Sequence, residues 1–229
     1  MAAFVLGVSS SILATMVLVA AGWVWSSRPR WWLVGLLSRL TGTGVRRVYR
    51  RQRSAEEDIA RDLLRARWVK VLAGRGNTLT RDAFAPLWSG SIDRLESVQV
   101  LLPDPEAVPG EWLARRATDL AVVDPGFTAG LLRDQIRANT SYLAAVARDQ
   151  PDVELRRFDL PHLYRVIVTD RAAYITFYER RGHGRHSPCL YVRAPGVLYE
   201  AALHFFAVTW AGGSPEAPEQ STRVHTQDH

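Results

Sequence analysis

The sequence predicts an α/β domain, a mixed central sheet flanked by helices, and three observations carry that prediction. From Trp68 onward, short β-branched runs alternate with helix-patterned segments. The C-terminal third then supplies four strand-like runs in succession, "DVELRRF", "LYRVIVT", "AAYITFYE" and "CLYVRA". Within them "YRVIVT" and "YITFY" are apolar at both parities, as central strands covered on both faces must be. Early β-α-β order followed by adjacent strands implies a sheet of mixed direction with helices packed on it.

Taken in order, the chain opens with 24 residues, Ala2 to Trp25, that contain no charge. As a helix they would reach about 36 Å, enough to cross a bilayer core of about 30 Å. Trp23, Trp25, Trp31 and Trp32 gather at the end where indoles favour the membrane–water boundary. The start, "MAAFVLG", lacks the basic residues of a signal peptide. One transmembrane helix over residues 1–27 is therefore expected ahead of the domain.

Residues 28–67 read as a basic juxtamembrane segment and linker helix. "RPRWWLVGLLSRLTGTG" has the pattern of an interfacial amphipathic helix ending at Gly42 and Gly44. Ser54 and Glu57 make a capping box for a helix to about Trp68, with Ile59 and Leu63 on one face.

The domain proper is expected over residues 68–211. "WVKVLAG" is a strand closed by "GRGN", "TRDAFAPLW" a short helix with Thr80 as its cap, "SVQVLLPD" a second strand and "GEWLARRATDLA" a helix. Asp124 followed by Pro125 predicts the start of a long helix with Leu132, Ile136, Leu143 and Val146 at core spacing. Asn139 falls in that apolar stripe and needs a partner. "VLYEAALHFFAVTW" is a last helix, and residues 212–229 have the composition of a disordered tail.

Charge is distributed unevenly. Residues 1–67 carry eleven arginines and four acids, whereas residues 68–229 carry 18 basic and 19 acidic residues. Arginines packed behind an apolar helix predict a cell-membrane, single-pass protein with its N-terminus outside and its C-terminal domain cytoplasmic. They also predict contact with anionic lipid near the basic linker. The high pI is thus a local property, and nucleic acid is not an expected partner. One cysteine, Cys189, excludes an internal disulfide and a Cys-rich zinc site. No cofactor and no metal are expected. His183 and His186, in "RRGHGRHSP", lack identifiable further ligands and read as part of an exposed loop.

The candidate chemistry lies in "LPHLYRVIVTDRAAYITFYE", which holds His162, Arg165 and Asp170. Strand alternation puts His162 and Arg165 on opposite faces, and Asp170 sits in a turn-like "TDRA". Residues alone leave two readings open, a polar-ended core strand and an active site.

Arg165, four residues, then Asp170 before another apolar strand resembles the phospholipase D-like superfamily, whose signature is His, one residue, Lys, four residues, Asp. Arg165 stands at the lysine position and Asp170 at the aspartate, while Leu163 occupies the place of the nucleophilic histidine and His162 lies one residue off. The runs "VQVLLPDPEA", "VELRRFDLPHLYRVIVTD" and "SPCLYVRAPGVLYEAALHFFAVTW" also resemble phospholipase D-like effector domains attached to some bacterial helix-turn-helix regulators. The resemblance covers most of residues 68–211.

It implies a degenerate phospholipase D-like fold, here on a membrane anchor, acting as a signalling sensor or adaptor without catalysis. Leucine cannot attack phosphorus, and a one-residue shift turns a strand side chain to the opposite face. The former phosphate site would bind a phosphate-containing ligand through Arg165, with Asn139, Gly74, Gly76 and Asn77, and with Arg181 and Arg185 closing from their loop. A protein partner or homodimer is compatible with this reading. The alternative is an active phosphodiesterase on lipid or nucleic acid, working as a dimer with His162, Arg165 and Asp170 as catalytic residues.

Overall fold

A computed structural model of the chain describes residues 27–106, 111–161 and 164–215. In chain order the helices are Ser27–Thr41 (α1), Glu56–Leu63 (α2), Ala85–Trp88 (α3), Glu111–Ala121 (α4), Ala129–Asp149 (α5) and Val197–Gly212 (α6). The strands are Val45–Tyr49 (β1), Trp68–Leu72 (β2), Ser97–Pro103 (β3), Val153–Phe158 (β4), Tyr164–Thr169 (β5), Ala172–Phe177 (β6), Cys189–Arg193 (β7) and Ser214–Pro215 (β8). They build one mixed sheet in the order β1-β7-β6-β5-β2-β3-β4-β8.

β2, β3 and β4 are parallel, while β5, β6, β7 and β1 continue beyond β2 with antiparallel pairings. The change of sense at β2 follows from connection length. α3 lies between β2 and β3, and α4 and α5 lie between β3 and β4, giving the long crossovers that parallel pairing requires. By contrast only Asp170 and Arg171 separate β5 from β6, a hairpin connection.

Both faces of the sheet are covered, which explains the apolar runs of β5 and β6. On one face Val69, Val71, Val98, Val100 and Ile167 pack with Ile59 and Leu63 of α2 and Leu143 of α5. On the other, Leu72, Leu101, Val166 and Val168 pack with Tyr199, Ala202 and Phe206 of α6. The Tyr199 hydroxyl donates to the Thr169 carbonyl at 2.7 Å, and burial pushes its pKa up to about 12. A third cluster joins α4 to α5 through Leu113, Leu120, Phe127, Leu132 and Ile136.

Several expectations are corrected. Among the described residues no helix is long and apolar enough to cross a membrane. The transmembrane helix expected over residues 1–27, and the single-pass placement in the cell membrane drawn from it, are corrected on that ground. α1 spans 15 residues, short of the roughly 20 that a span needs; residues 1–26 lie outside the described ones.

Residues 45–67 are not a linker but part of the domain. β1 pairs along the edge with β7, and Ala55, Ile59, Leu63 and Ala66 are buried in the main core. The capping box is absent: a 3-10 turn over Gln52–Ala55 leads into α2, and no side chain caps it. Asp124–Pro125 does not start α5 either. Asp124 closes a turn by accepting from the Phe127 amide, and Thr128 is the cap, its hydroxyl accepting from the Leu131 amide at 3.1 Å. Thr80 donates to the Asn77 carbonyl rather than capping α3. Of the expected tail, Ser214 and Pro215 pair with β4, and residues 216–229 lie outside the described ones.

Because α2 belongs to the cooperative core, Leu63→Ala is expected to lower unfolding stability by about 2–5 kcal/mol. The neighbouring exposed Leu64→Ala should change it by about 0.5 kcal/mol or less. Urea unfolding midpoints read this directly; equal, small effects would make α2 an appendage.

Candidate functional site

The topology gathers its functional loops at one end of the sheet. The carboxyl ends of β1, β2, β3 and β6 and the amino ends of β5 and β7 lie there, as the registers Leu72↔Val166, Tyr164↔Phe177 and Tyr49↔Cys189 require. Open α/β sheets place ligand crevices outside the carboxyl ends of their strands, where the strand order switches, and β2 is that switch. A cavity of about 730 Å³ opens at this position. Six arginines line it (Arg53, Arg75, Arg81, Arg116, Arg165 and Arg185) against two carboxylates, Glu56 and Asp124.

Arg165 forms the base of the site. It begins the inward-facing row Arg165, Thr176 and Cys189 across three strands, and is only 5% exposed. One guanidinium nitrogen donates to the Thr78 hydroxyl. Its Nε is buried without a partner, and among the described residues no carboxylate pairs with it. Burying a charge is costly unless it is paired, so the arrangement is suited to an anion.

The loop after β2 supplies Gly74, Arg75, Gly76, Asn77 and Thr78 to the cavity. Gly76 has φ +80, and a Cβ there would lie 3.1 Å from that of Asn139. Asn139 of α5 donates to the Arg75 carbonyl at 2.7 Å and to Asn77 Oδ1 at 2.6 Å. It is the unpaired polar residue of the helical stripe, and its partner is this loop.

The β6–β7 connection forms the opposite wall. Arg116 of α4 holds it by donating to the carbonyls of Glu179 at 2.8 Å, Arg180 at 2.9 Å and Gly182 at 2.7 Å. A Cβ on Gly184 would meet the Tyr178 ring at 2.5 Å, so the loop needs glycine at that close approach. His183 sits with Nε2 3.4 Å from Asp124 Oδ2 and Nδ1 3.5 Å from Arg75. His186 accepts from Arg185 at 3.2 Å. Arg75 in turn lies over Phe127, 5.2 Å from the ring centroid, and donates to Gln135 at 3.2 Å. Desolvation draws the Arg75 and Arg116 guanidiniums below their ordinary pKa.

Of the residues singled out in the sequence, Gly74, Gly76, Asn77, Arg165 and Arg185 lie on the cavity. Asn139 stands behind the loop as its support, and Arg181 is exposed outside the lining. Asp170 does not converge with Arg165. It lies at the far end of β5, where it accepts from the Arg67 amide at 3.1 Å. A six-residue strand at about 3.3 Å per step makes this separation unavoidable. His162 and Leu163 lie outside the described residues. Arg53, Arg75, Thr78, Arg116, Phe127 and His183 were not anticipated as site residues. Of these, Arg75 inside "GRGN" and His183 inside "RRGHGRHSP" carried a local signal. Among the described residues no His, Cys, Asp and Glu cluster could hold a metal.

Burial, followed by Arg75, holds the His183 pKa below 6.5; Arg185 and His186 add to this, while Asp124 opposes it. The unfolded chain therefore takes up the proton more readily than the folded one. The stability contributed is complete above 6.5 and lost as pH falls through the lower folded value. Unfolding midpoints at about pH 7.5 and about pH 5 should differ less in His183→Asn than in the parent chain. An unchanged difference would remove His183 from the acid response.

No protein-family model matches the chain, and no curated protein is significantly similar to it. Among solved structures, TrmBL2, an archaeal chromatin protein described as showing a novel mode of DNA binding, is similar with a TM-score of 0.45 and 12% identity. The match covers 91% of this chain and 70% of that one. Nuc, a phospholipase D family member from Salmonella typhimurium, is similar with a TM-score of 0.45 and 12% identity, over 72% of this chain and 91% of that one. Likenesses this low assign neither family nor activity.

Proposed function

We propose that the domain is a sensor or adaptor with a degenerate phospholipase D-like fold, which binds a phosphate-containing ligand without turning it over. One observation carries the binding: the buried Arg165, with its Nε unpartnered, at the base of a cavity lined by six arginines. Phosphate oxygens accept several N–H bonds at once, and guanidinium is the side chain best shaped to give them. A volume of about 730 Å³ lies in the range of pockets for small organic ligands.

The absence of turnover rests on the leucine at the nucleophile's place and on how His183 is held. Nucleophilic catalysis on phosphorus needs an imidazole nitrogen free to attack. His183 has one ring nitrogen facing Asp124 and the other facing Arg75. In the sequence, leucine holds the nucleophile's place at position 163.

Pyrophosphate is expected to bind and raise the melting temperature of the full chain. Arg165→Ala should weaken that binding about ten- to hundredfold, the loss of hydrogen bonds to a charged group. Thr78→Val, which only frees the guanidinium from its hydroxyl partner, should weaken it less. Full affinity in Arg165→Ala rejects the site, and hydrolysis of a chromogenic phosphodiester by the purified chain rejects the non-catalytic reading.

A further inference from the structure

The geometry points to a nucleotide with more than one phosphate as the cavity's ligand, and this rests on the anion-binding reading above. The six arginines do not serve one purpose. The Arg116 donors are committed to three backbone carbonyls, and those of Arg75 face Gln135 and His183. Each of these two guanidiniums also lies over an aromatic ring, Arg75 over Phe127 at 5.2 Å and Arg116 over Tyr178 at 5.8 Å from the centroid. Both are partly desolvated by burial, and their N–H donors are held by the partners just named. A guanidinium fixed in this way is a platform on which a nucleobase stacks.

The arginines left for the phosphates come from other elements. Arg165 lies at the start of β5, Arg53 on the turn after β1, and Arg81 beyond the glycine loop. With six arginines against two carboxylates, the cavity suits the several charges of a di- or triphosphate better than those of a phosphate monoester.

The identity of the platform wall selects a base over an acyl chain. Alongside Leu120, Leu131 and Leu132 it carries Asp124, Gln135 and His183. Those groups already meet one another and Arg75, and a hydrocarbon chain laid there would strip water from their remaining lone pairs and N–H groups without replacing it. The exocyclic amines and ring nitrogens of a base can pair with them. The apolar leucines then cover the remaining edge of the ring.

The test is calorimetric titration of the full chain with ADP, GDP, CDP, UDP and pyrophosphate. At least one nucleoside diphosphate should bind about tenfold more tightly than pyrophosphate, as base stacking on a planar side chain allows. Arg75→Ala should remove that preference, lowering nucleotide affinity about tenfold more than it lowers pyrophosphate affinity. Phe127→Leu, which keeps an apolar core but loses the ring beneath Arg75, should reduce the preference in the same direction. Equal affinities for pyrophosphate and all four nucleotides would overturn the inference and leave the anion site standing. Binding of none of them would overturn both. Tighter binding of a short single-stranded oligonucleotide than of any nucleotide would overturn it in favour of a polymer.

Discussion

A permanent positive charge buried on a central strand is the constraint from which the rest of the site follows. Arg165 is almost wholly buried in its row with Thr176 and Cys189, both themselves buried, and opens only onto the cavity. Its guanidinium must therefore be met from the loop after β2, where Thr78 accepts from it. To bring Thr78 there, the chain turns tightly through Gly76 and passes against α5. Asn139 then fixes the turn with two hydrogen bonds, which explains a polar residue in an otherwise apolar helical stripe. The charge, the glycine and the asparagine form one dependency.

The second support comes from the other side. Parallel pairing of β2 with β3 and antiparallel pairing with β5 bring the connections after β1, β2 and β6 to one end of the sheet. A loop as long as that between β6 and β7 would ordinarily be free of the scaffold. Arg116 removes that freedom by donating to three of its carbonyls, and Arg180 adds a 3.0 Å ion pair to Asp119. Cavity shape is thereby set by α4 as much as by the loop itself. The chain invests charged side chains in holding backbone, leaving fewer of them for a ligand than composition suggests.

Elements whose pattern reflects burial were legible in the sequence: β5 and β6 from apolar residues at both parities, and α5 and α6 from their spacing. What local chemistry alone suggested fared worse. Asp124 before Pro125 is a good helix start in isolation, yet Thr128 four residues on caps α5 because Phe127 must turn inward to the α4–α5 core. The signature-like spacing of Arg165 and Asp170 has no geometric meaning at the cavity, since the two ends of one strand cannot meet. Conversely, Arg116 and Phe127 join the site only through the packing of α4 on α5, and no window of sequence holds that information.

The basic N-terminal segment shows the same principle in charge. Read alone, its eleven arginines mark a basic segment beside a membrane. In the fold Arg47 and Arg61 share Asp58, at 2.7 Å and 2.6 Å, and the Tyr49 hydroxyl donates to the same carboxylate. Arg67 pairs with Glu96 at 2.6 Å and gives its amide to Asp170. Arg53 reaches the cavity. These residues lock an edge strand and a helix onto the sheet, and Asp170, detached from the site, finds its role in that lock. Three of the segment's arginines are thus paired within the domain, and Arg53, which faces the cavity, adds to the field that Arg165 begins.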